Sequence, residues 1–210
     1  MARLLVLGGT GLVGGAVLRQ ALADSRVRSV VAPTRRPLLP ATRLENPIVD
    51  FDRLPAEAGW LEVDGVACAL GSTIRAAGSR AAFRKVDHDY VLAFARLARA
   101  RGARAFALTS AIGANPDSRI FYNRVKGEVE ASVAACGYPS LTIIRPGFIG
   151  GVRQESRPAE RAAVAAVGLL GPVLPRRWRI NPAENIARAL LEAAIAAPPG
   201  RHVVTSAQLV

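Results

Sequence analysis

Two hydrophobic periods alternate along the chain. In short runs nearly every residue is apolar: "RLLVLG" (3–8), "VRSVVAPT" (27–34), "NPIVDF" (46–51), "DGVACALG" (64–71), "ARAFALTS" (103–110), "PSLTIIRPG" (139–147) and the closing "RHVVTS". These read as strands. Between them apolar residues recur every three or four positions, in "LVGGAVLRQALAD" (12–24), "RAAFRKVDHDYVLAFARLARARG" (80–102), "SRIFYNRVKGEVEASVAACG" (118–137) and "PAENIARALLEAAIAA" (182–197). That spacing predicts amphipathic helices. Gly102 closes the second helix, and Pro182 stands just inside the start of the fourth. Strands apolar on both faces need cover on both, so the alternation predicts an α/β fold with a doubly wound parallel sheet.

Beyond Gly147 the pattern loosens. "FIGGVRQESRPAE" reads as loop, 159–171 as a small-residue helix, and "LPRRWRINP" as a basic turn. Residues 148–210 read as a short substrate-side extension of one domain spanning 1–210, not as a second domain. The 159–171 helix and the loop after it, with Trp178, are expected to cover a ligand cleft.

Composition adds limits. A chain of 210 residues, 50% hydrophobic, can bury one full core. "MARLLVLGG" is too short an apolar run for a secretion signal, and "AAVAAVGLLGPVL" (162–174) is too short to span a bilayer. The expectation is a soluble cytoplasmic protein, monomeric or homodimeric. Cys68 and Cys136 have neither CxxC spacing nor a histidine neighbour, so they read as small hydrophobes and no metal site is expected. The net charge of +12 comes from arginines spread along the chain rather than gathered in a run, which argues against a dedicated nucleic-acid site.

The first strand runs into "GGTGLVGG". Gly8, Gly11 and Gly14 stand in GxxGxxG spacing between strand and helix, with Thr10, Leu12 and Val13 between them. Glycine permits the tight turn and lets a pyrophosphate approach the backbone, and the helix amides then hold the phosphates. The order strand, glycine turn, helix marks a Rossmann-type dinucleotide site. The second strand ends "APTRRP", so Arg35 and Arg36 occupy the place where an NAD-selective site carries an acid for the ribose 2′-hydroxyl. Two guanidiniums suit a 2′-phosphate in charge and in fork geometry, and NADP(H) is the expected cofactor.

Tyr122 and Lys126 stand four apart on a predicted helix and so share a face. Both types are scarce: there are three tyrosines, and Lys85 and Lys126 are the only lysines among 28 basic residues. Random placement would yield roughly 0.03 such pairs per chain. A tyrosine, ordinarily titrating near pH ~10, becomes an acid–base group near neutrality when a neighbouring cation stabilises its phenolate. Lys126 would be that cation and would also bond the nicotinamide ribose. Ser110, where a strand reaches the carboxyl edge of the sheet, would hold the substrate oxygen.

In these features the chain resembles the short-chain dehydrogenase/reductases, with the glycine motif, Ser110, Tyr122-x3-Lys126 and the "RPG" of 145–147 in that superfamily's order. The glycine spacing and the short C-terminal part resemble its atypical, NAD(P)-binding branch. "VDFDRL", "VDHDYVLAFARLA", "VKGEVEA" and "RQESRPAE" are similar to the Tat-interacting-protein-like oxidoreductases within it. The resemblance implies that Asp50 bonds the adenine and that Ala69, Leu70 and Gly71 line the dinucleotide. It also implies that the backbone around Pro146, Gly147 and Phe148 meets the nicotinamide. Many superfamily members carry an asparagine on the long central helix that orders a relay water; the corresponding residue here is Asp87, a carboxylate that accepts but does not donate.

The expected activity is NADPH-dependent reduction of a small-molecule carbonyl, or oxidation of an alcohol. The second reading is an NADP(H)-binding regulator that senses redox state and would not need Tyr122. A sugar-nucleotide epimerase is disfavoured, because only about 60 residues follow the last cofactor-lining strand.

Overall fold

The computed structural model describes residues 1–150, 175, 176 and 179–210. The helix expected over 159–171, its expected role as a cover, and Trp178 lie outside the described residues.

Seven parallel strands form one sheet in the spatial order β3-β2-β1-β4-β5-β6-β9. They are β1 (Ala2–Leu7), β2 (Val27–Val31), β3 (Leu44–Glu45), β4 (Gly65–Cys68), β5 (Ala105–Thr109), β6 (Ser140–Arg145) and β9 (Gly200–Thr205). A separate two-stranded pair joins β7 (Ile149–Gly150) to β8 (Asn181–Pro182). The strand order reverses between β1 and β4, and such a switch point opens a crevice at the carboxyl ends of the strands.

Alternate residues of each strand feed two cores. Leu4 and Val6 pack with helices α1 (Leu12–Ala23) and α6 (Ala183–Ala196). Leu5, Leu7, Phe106 and Leu108 face α4 (Tyr90–Ala100) and α5 (Phe121–Ala134) on the other side. Leu4 through Leu7 are all fully buried, so each side chain contributes about 1.5–3 kcal/mol. The two-sided apolar runs of the sequence are therefore strands covered on both faces.

Two elements depart from the sequence pattern. The strand expected at 46–51 shrinks to β3 and a single bridge between Thr34 and Ile48. Pro47 has no amide to donate, and the Asn46 side chain bonds the Ala32 carbonyl and Thr34 Oγ1 instead of extending the ladder. The long helix expected over 80–102 is two helices, α3 (Arg80–Arg84) and α4, joined by a π turn over Lys85–Asp89, and a short α2 (Ile74–Ala77) precedes them. Its buried positions include Phe83, Asp87 and Val91, spaced by four. A helix of 3.6 residues per turn would rotate that series off the sheet; the wider π turn keeps it facing inward.

Helix α5 lies very close to the loop before it. A Cβ on Gly127 would stand 2.2 Å from the carbonyl carbon of Asn115 and from the nitrogen of Pro116. Both obstacles are backbone, so Gly127→Ala should cost about 1–3 kcal/mol in urea unfolding. An unchanged midpoint would mean that this helix is free to shift.

Candidate active site

The glycine loop has the features of an anion cradle. Gly8 takes φ +83°, and a Cβ on Gly14 would come 2.0 Å from the Gly8 carbonyl oxygen, so turn and helix touch backbone to backbone. Gly11 is the N-cap of α1, with no side chain capping the helix and no acid in its first turn. The start of α1, carrying Leu12, Val13 and Gly14, thus presents open amides and a positive dipole end to the crevice. These residues fit a dinucleotide pyrophosphate. Ala69, Leu70 and Gly71 follow β4 directly beside the loop, the Ala69 carbonyl lying against Gly8.

At the end of β2 the chain turns over the loop. Thr34 donates to the Arg36 carbonyl at 2.6 Å, and the Asn46 side chain accepts from the Leu38 amide at 2.8 Å. Leu38 packs toward Gly9. This pins a turn on which Arg35 and Arg36 are both exposed. Among the described residues no carboxylate pairs with either guanidinium, although Arg3, Arg19, Arg26, Arg84, Arg101 and Arg145 all have acidic partners. Asp50, also exposed, accepts from the Asp52 amide at 2.9 Å in a local turn.

Helix α5 brings Tyr122 and Lys126 onto one face, one turn apart. The Tyr122 ring packs on Phe83 with centroids 5.4 Å apart, and its hydroxyl has no hydrogen-bond partner among the described residues. Lys126 is buried, and its ammonium lies 2.8 Å from Asp87 Oδ1, itself inaccessible to solvent. Asp87 Oδ2 accepts from the Ser72 amide at 2.7 Å. Burial pushes the Asp87 carboxyl up, against the pull of the lysine charge. Burial alone would push Lys126 down, but Asp87, helped by Tyr122, carries it above the ordinary lysine value. Cys68, beneath the pair, is pushed up to about 12 by burial and stays a neutral thiol near pH ~7.

Ser110 is not brought to Tyr122. It is buried, and its hydroxyl donates to Glu130, one helical turn beyond Lys126 on the side away from Tyr122. Glu130 is held in turn by the Arg145 fork at 2.9 and 2.5 Å. Strand alternation sends residues 106, 108 and 110 to the α5 side, where a buried carboxylate meets the hydroxyl. The expected Ser-Tyr-Lys triangle is thus a Tyr-Lys-Asp cluster, with Ser110 in the supporting core.

Two further residues organise the site. Asp87 is marked only by resemblance, as the counterpart of a relay asparagine, and locally it reads equally well as part of a solvated helix face; its four-residue spacing from Phe83 and Val91 is a second signal. Asn181 is fully buried and ties the loop after β6 to the end of β9: its Oδ1 accepts from the Gly147 amide at 2.7 Å and from Ser206 Oγ at 2.9 Å, and its Nδ2 donates to the Ser206 carbonyl. With the Asn181 amide donating to the Phe148 carbonyl, this fixes the Pro146–Phe148 backbone at the mouth of the crevice. Nothing local in "RINP" marks it.

The sheet order, the glycine cradle and the Tyr122–Lys126 face define an atypical short-chain dehydrogenase/reductase with a nicotinamide-dinucleotide fold. Within that class the chain belongs to the family of the Fmp52 and HTATIP2 proteins. It is 36% identical to Protein fmp52, mitochondrial, of Aspergillus fumigatus over 216 residues, covering 95% of this chain and 92% of that one. It is 36% identical to Protein HTATIP2 of Rattus norvegicus over 194 residues, 89% of this chain and 78% of the relative. No family model matches. Among solved structures, MoeE5 in complex with UDP-glucose and NAD superposes with a TM-score of 0.71 at 18% identity, covering 96% of this chain and 74% of that one. The enzyme WbmG of Bordetella bronchiseptica in complex with NAD gives 0.67 at 14% identity, over 98% and 73%. At these identities the likeness is one of fold.

The relatives overturn the expected cytoplasmic location, since the fungal Fmp52 proteins are named mitochondrial. The expectation rested on the lack of a secretion signal and of a long apolar run, and neither distinguishes the cytoplasm from a mitochondrial compartment. Among the described residues no helix is long and apolar enough to cross a membrane.

Proposed function

We propose that this protein is an NADPH-dependent oxidoreductase that reduces a small-molecule carbonyl, or oxidises an alcohol, with Tyr122 as the acid–base group. The observation that carries the reading is Tyr122, whose hydroxyl no described residue engages, one helical turn from a buried ammonium beside Gly71. When bound, the reduced nicotinamide supplies hydride. Tyr122 donates the proton that a carbonyl oxygen takes up as it becomes an alcohol, and the Lys126 charge stabilises the phenolate left behind. Lys126 also bonds the nicotinamide ribose. Gly8, Thr10, Gly11 and the first residues of α1 hold the pyrophosphate, Arg35 and Arg36 the 2′-phosphate, and Asp50 the adenine. Ala69 to Gly71 and Pro146 to Phe148 line the dinucleotide. Ser110 has no contact with substrate in this reading.

The test is consumption of NADPH, followed by its absorbance, against a panel of aldehydes, ketones and quinones. Turnover with at least one class, absent without protein, is expected. Tight NADPH binding without turnover on any of them would overturn the enzymatic reading in favour of a redox-sensing regulator.

A further inference from the structure

Where many superfamily members carry an asparagine, this chain has a buried carboxylate in direct contact with the lysine, the pair Lys126–Asp87. The ammonium is buried and held by a carboxylate 39 positions away in sequence. Three independent placements converge on it. The π turn over Lys85–Asp89 turns Asp87 inward. The Ser72 amide, just past β4, fixes one carboxylate oxygen and leaves the other for Lys126. Gly71 keeps the space open, because a Cβ there would stand 3.0 Å from Asp87 Oδ1 and 3.5 Å from Lys126 Nζ. We propose that Asp87 is a positioning residue that holds Lys126 in place, and in its charged form, at the inner end of the dinucleotide crevice.

The physical need is plain. An ammonium out of water with no counter-charge sheds its proton easily, and a neutral lysine neither stabilises a phenolate nor bonds a ribose as a cation. The other ionisable groups around Lys126 do not meet that need. Tyr122 on α5 is a neutral hydroxyl until it has given up its proton, and Cys68 on β4 is a buried neutral thiol. On the same helix Glu128 is paired with Arg84, and Glu130, one turn beyond Lys126, is occupied by Ser110 and Arg145. Among the described residues Asp87 alone provides a fixed negative charge beside Lys126. An asparagine in its place would keep the bond from the Ser72 amide but remove the charge.

The composition makes a direct measurement possible, since Lys85 and Lys126 are the only lysines. Protein labelled with carbon-13 at lysine Cε gives two side-chain resonances, one from exposed Lys85 and one from buried Lys126. In the cofactor-free parent protein Lys126 is expected to titrate above the ordinary lysine value. In Asp87→Asn it should titrate lower than in the parent by about one pH unit or more, with Lys85 unmoved. Asp87→Ser, smaller and equally uncharged, is the second variant should the first fold poorly, and should lower the Lys126 midpoint in the same way. An unchanged Lys126 titration in either folded variant overturns the proposal.

The consequence for function rests on the oxidoreductase reading, and NADPH titration across pH separates the two. Above the lowered midpoint, NADPH affinity of the variants should fall relative to the parent by about tenfold for each pH unit, levelling off once the pH passes the parent's own Lys126 midpoint. If the lysine titration moves and NADPH affinity does not follow, Asp87 stands as the clamp, and the assignment of Lys126 to the cofactor is overturned instead.

Discussion

Tyr122→Phe is expected to lower the rate of carbonyl reduction by about 10²–10⁴ while leaving NADPH affinity within about twofold of the parent. Phenylalanine preserves the ring packing on Phe83, where the centroids lie 5.4 Å apart, and deletes only a hydroxyl that no described residue engages. The loss therefore falls on proton transfer rather than on stability. Lys126→Ala should reduce both turnover and NADPH binding, because the same ammonium is assigned to the phenolate and to the ribose. It carries a further cost. Removing the lysine leaves Asp87 buried without its partner, a change typically worth about 3–5 kcal/mol, so its melting temperature should drop where that of Tyr122→Phe does not. Steady-state rates, nicotinamide fluorescence and thermal unfolding on the same preparations test all three. Parent-like turnover in Tyr122→Phe would place the acid elsewhere and sink the mechanism.

Preference for NADPH over NADH by about tenfold or more is the second large effect, anchored on ~1.4 kcal/mol for one added charge-assisted contact. Arg35 and Arg36 sit on a turn pinned by Thr34 and Asn46, exposed and without acidic partners among the described residues. Their charge is thus available to an incoming phosphate. Arg35→Ala and Arg36→Ala should each erode the preference, the double variant should remove most of it, and NADH affinity should change little. The preference should also weaken as salt is raised, because the site is open to solvent. Equal affinities for the two cofactors in the parent protein, or a preference that survives the double variant, would refute the assignment of the 2′-phosphate to these arginines.

What the sequence determined by itself was whatever depends on neighbours along the chain. Runs apolar on both faces imposed a sheet covered on both sides, and the glycines of "GGTGLVGG" implied a turn into an open helix start. The spacing of Tyr122 and Lys126 placed them on one face of α5, and the absence of an acid after β2 left Arg35 and Arg36 as its polar ends. Each is a statement about period or local backbone freedom, and each is legible within a dozen residues. Tertiary structure decided the rest. Whether Ser110 faced a substrate or the core depended on Glu130, a helix away, whose buried carboxylate captures the hydroxyl. Pro47 and the Asn46 side chain cut short a strand that hydrophobicity alone extended. Asp87 stands where many superfamily members carry a relay asparagine, but nothing along the chain shows what its carboxylate faces. Only a π turn, an amide at Ser72 and a lysine 39 residues later make it the partner of the site's cation. Charge partners across such distances are chosen by packing, because a buried ion is tolerated only where the fold supplies its counter-charge.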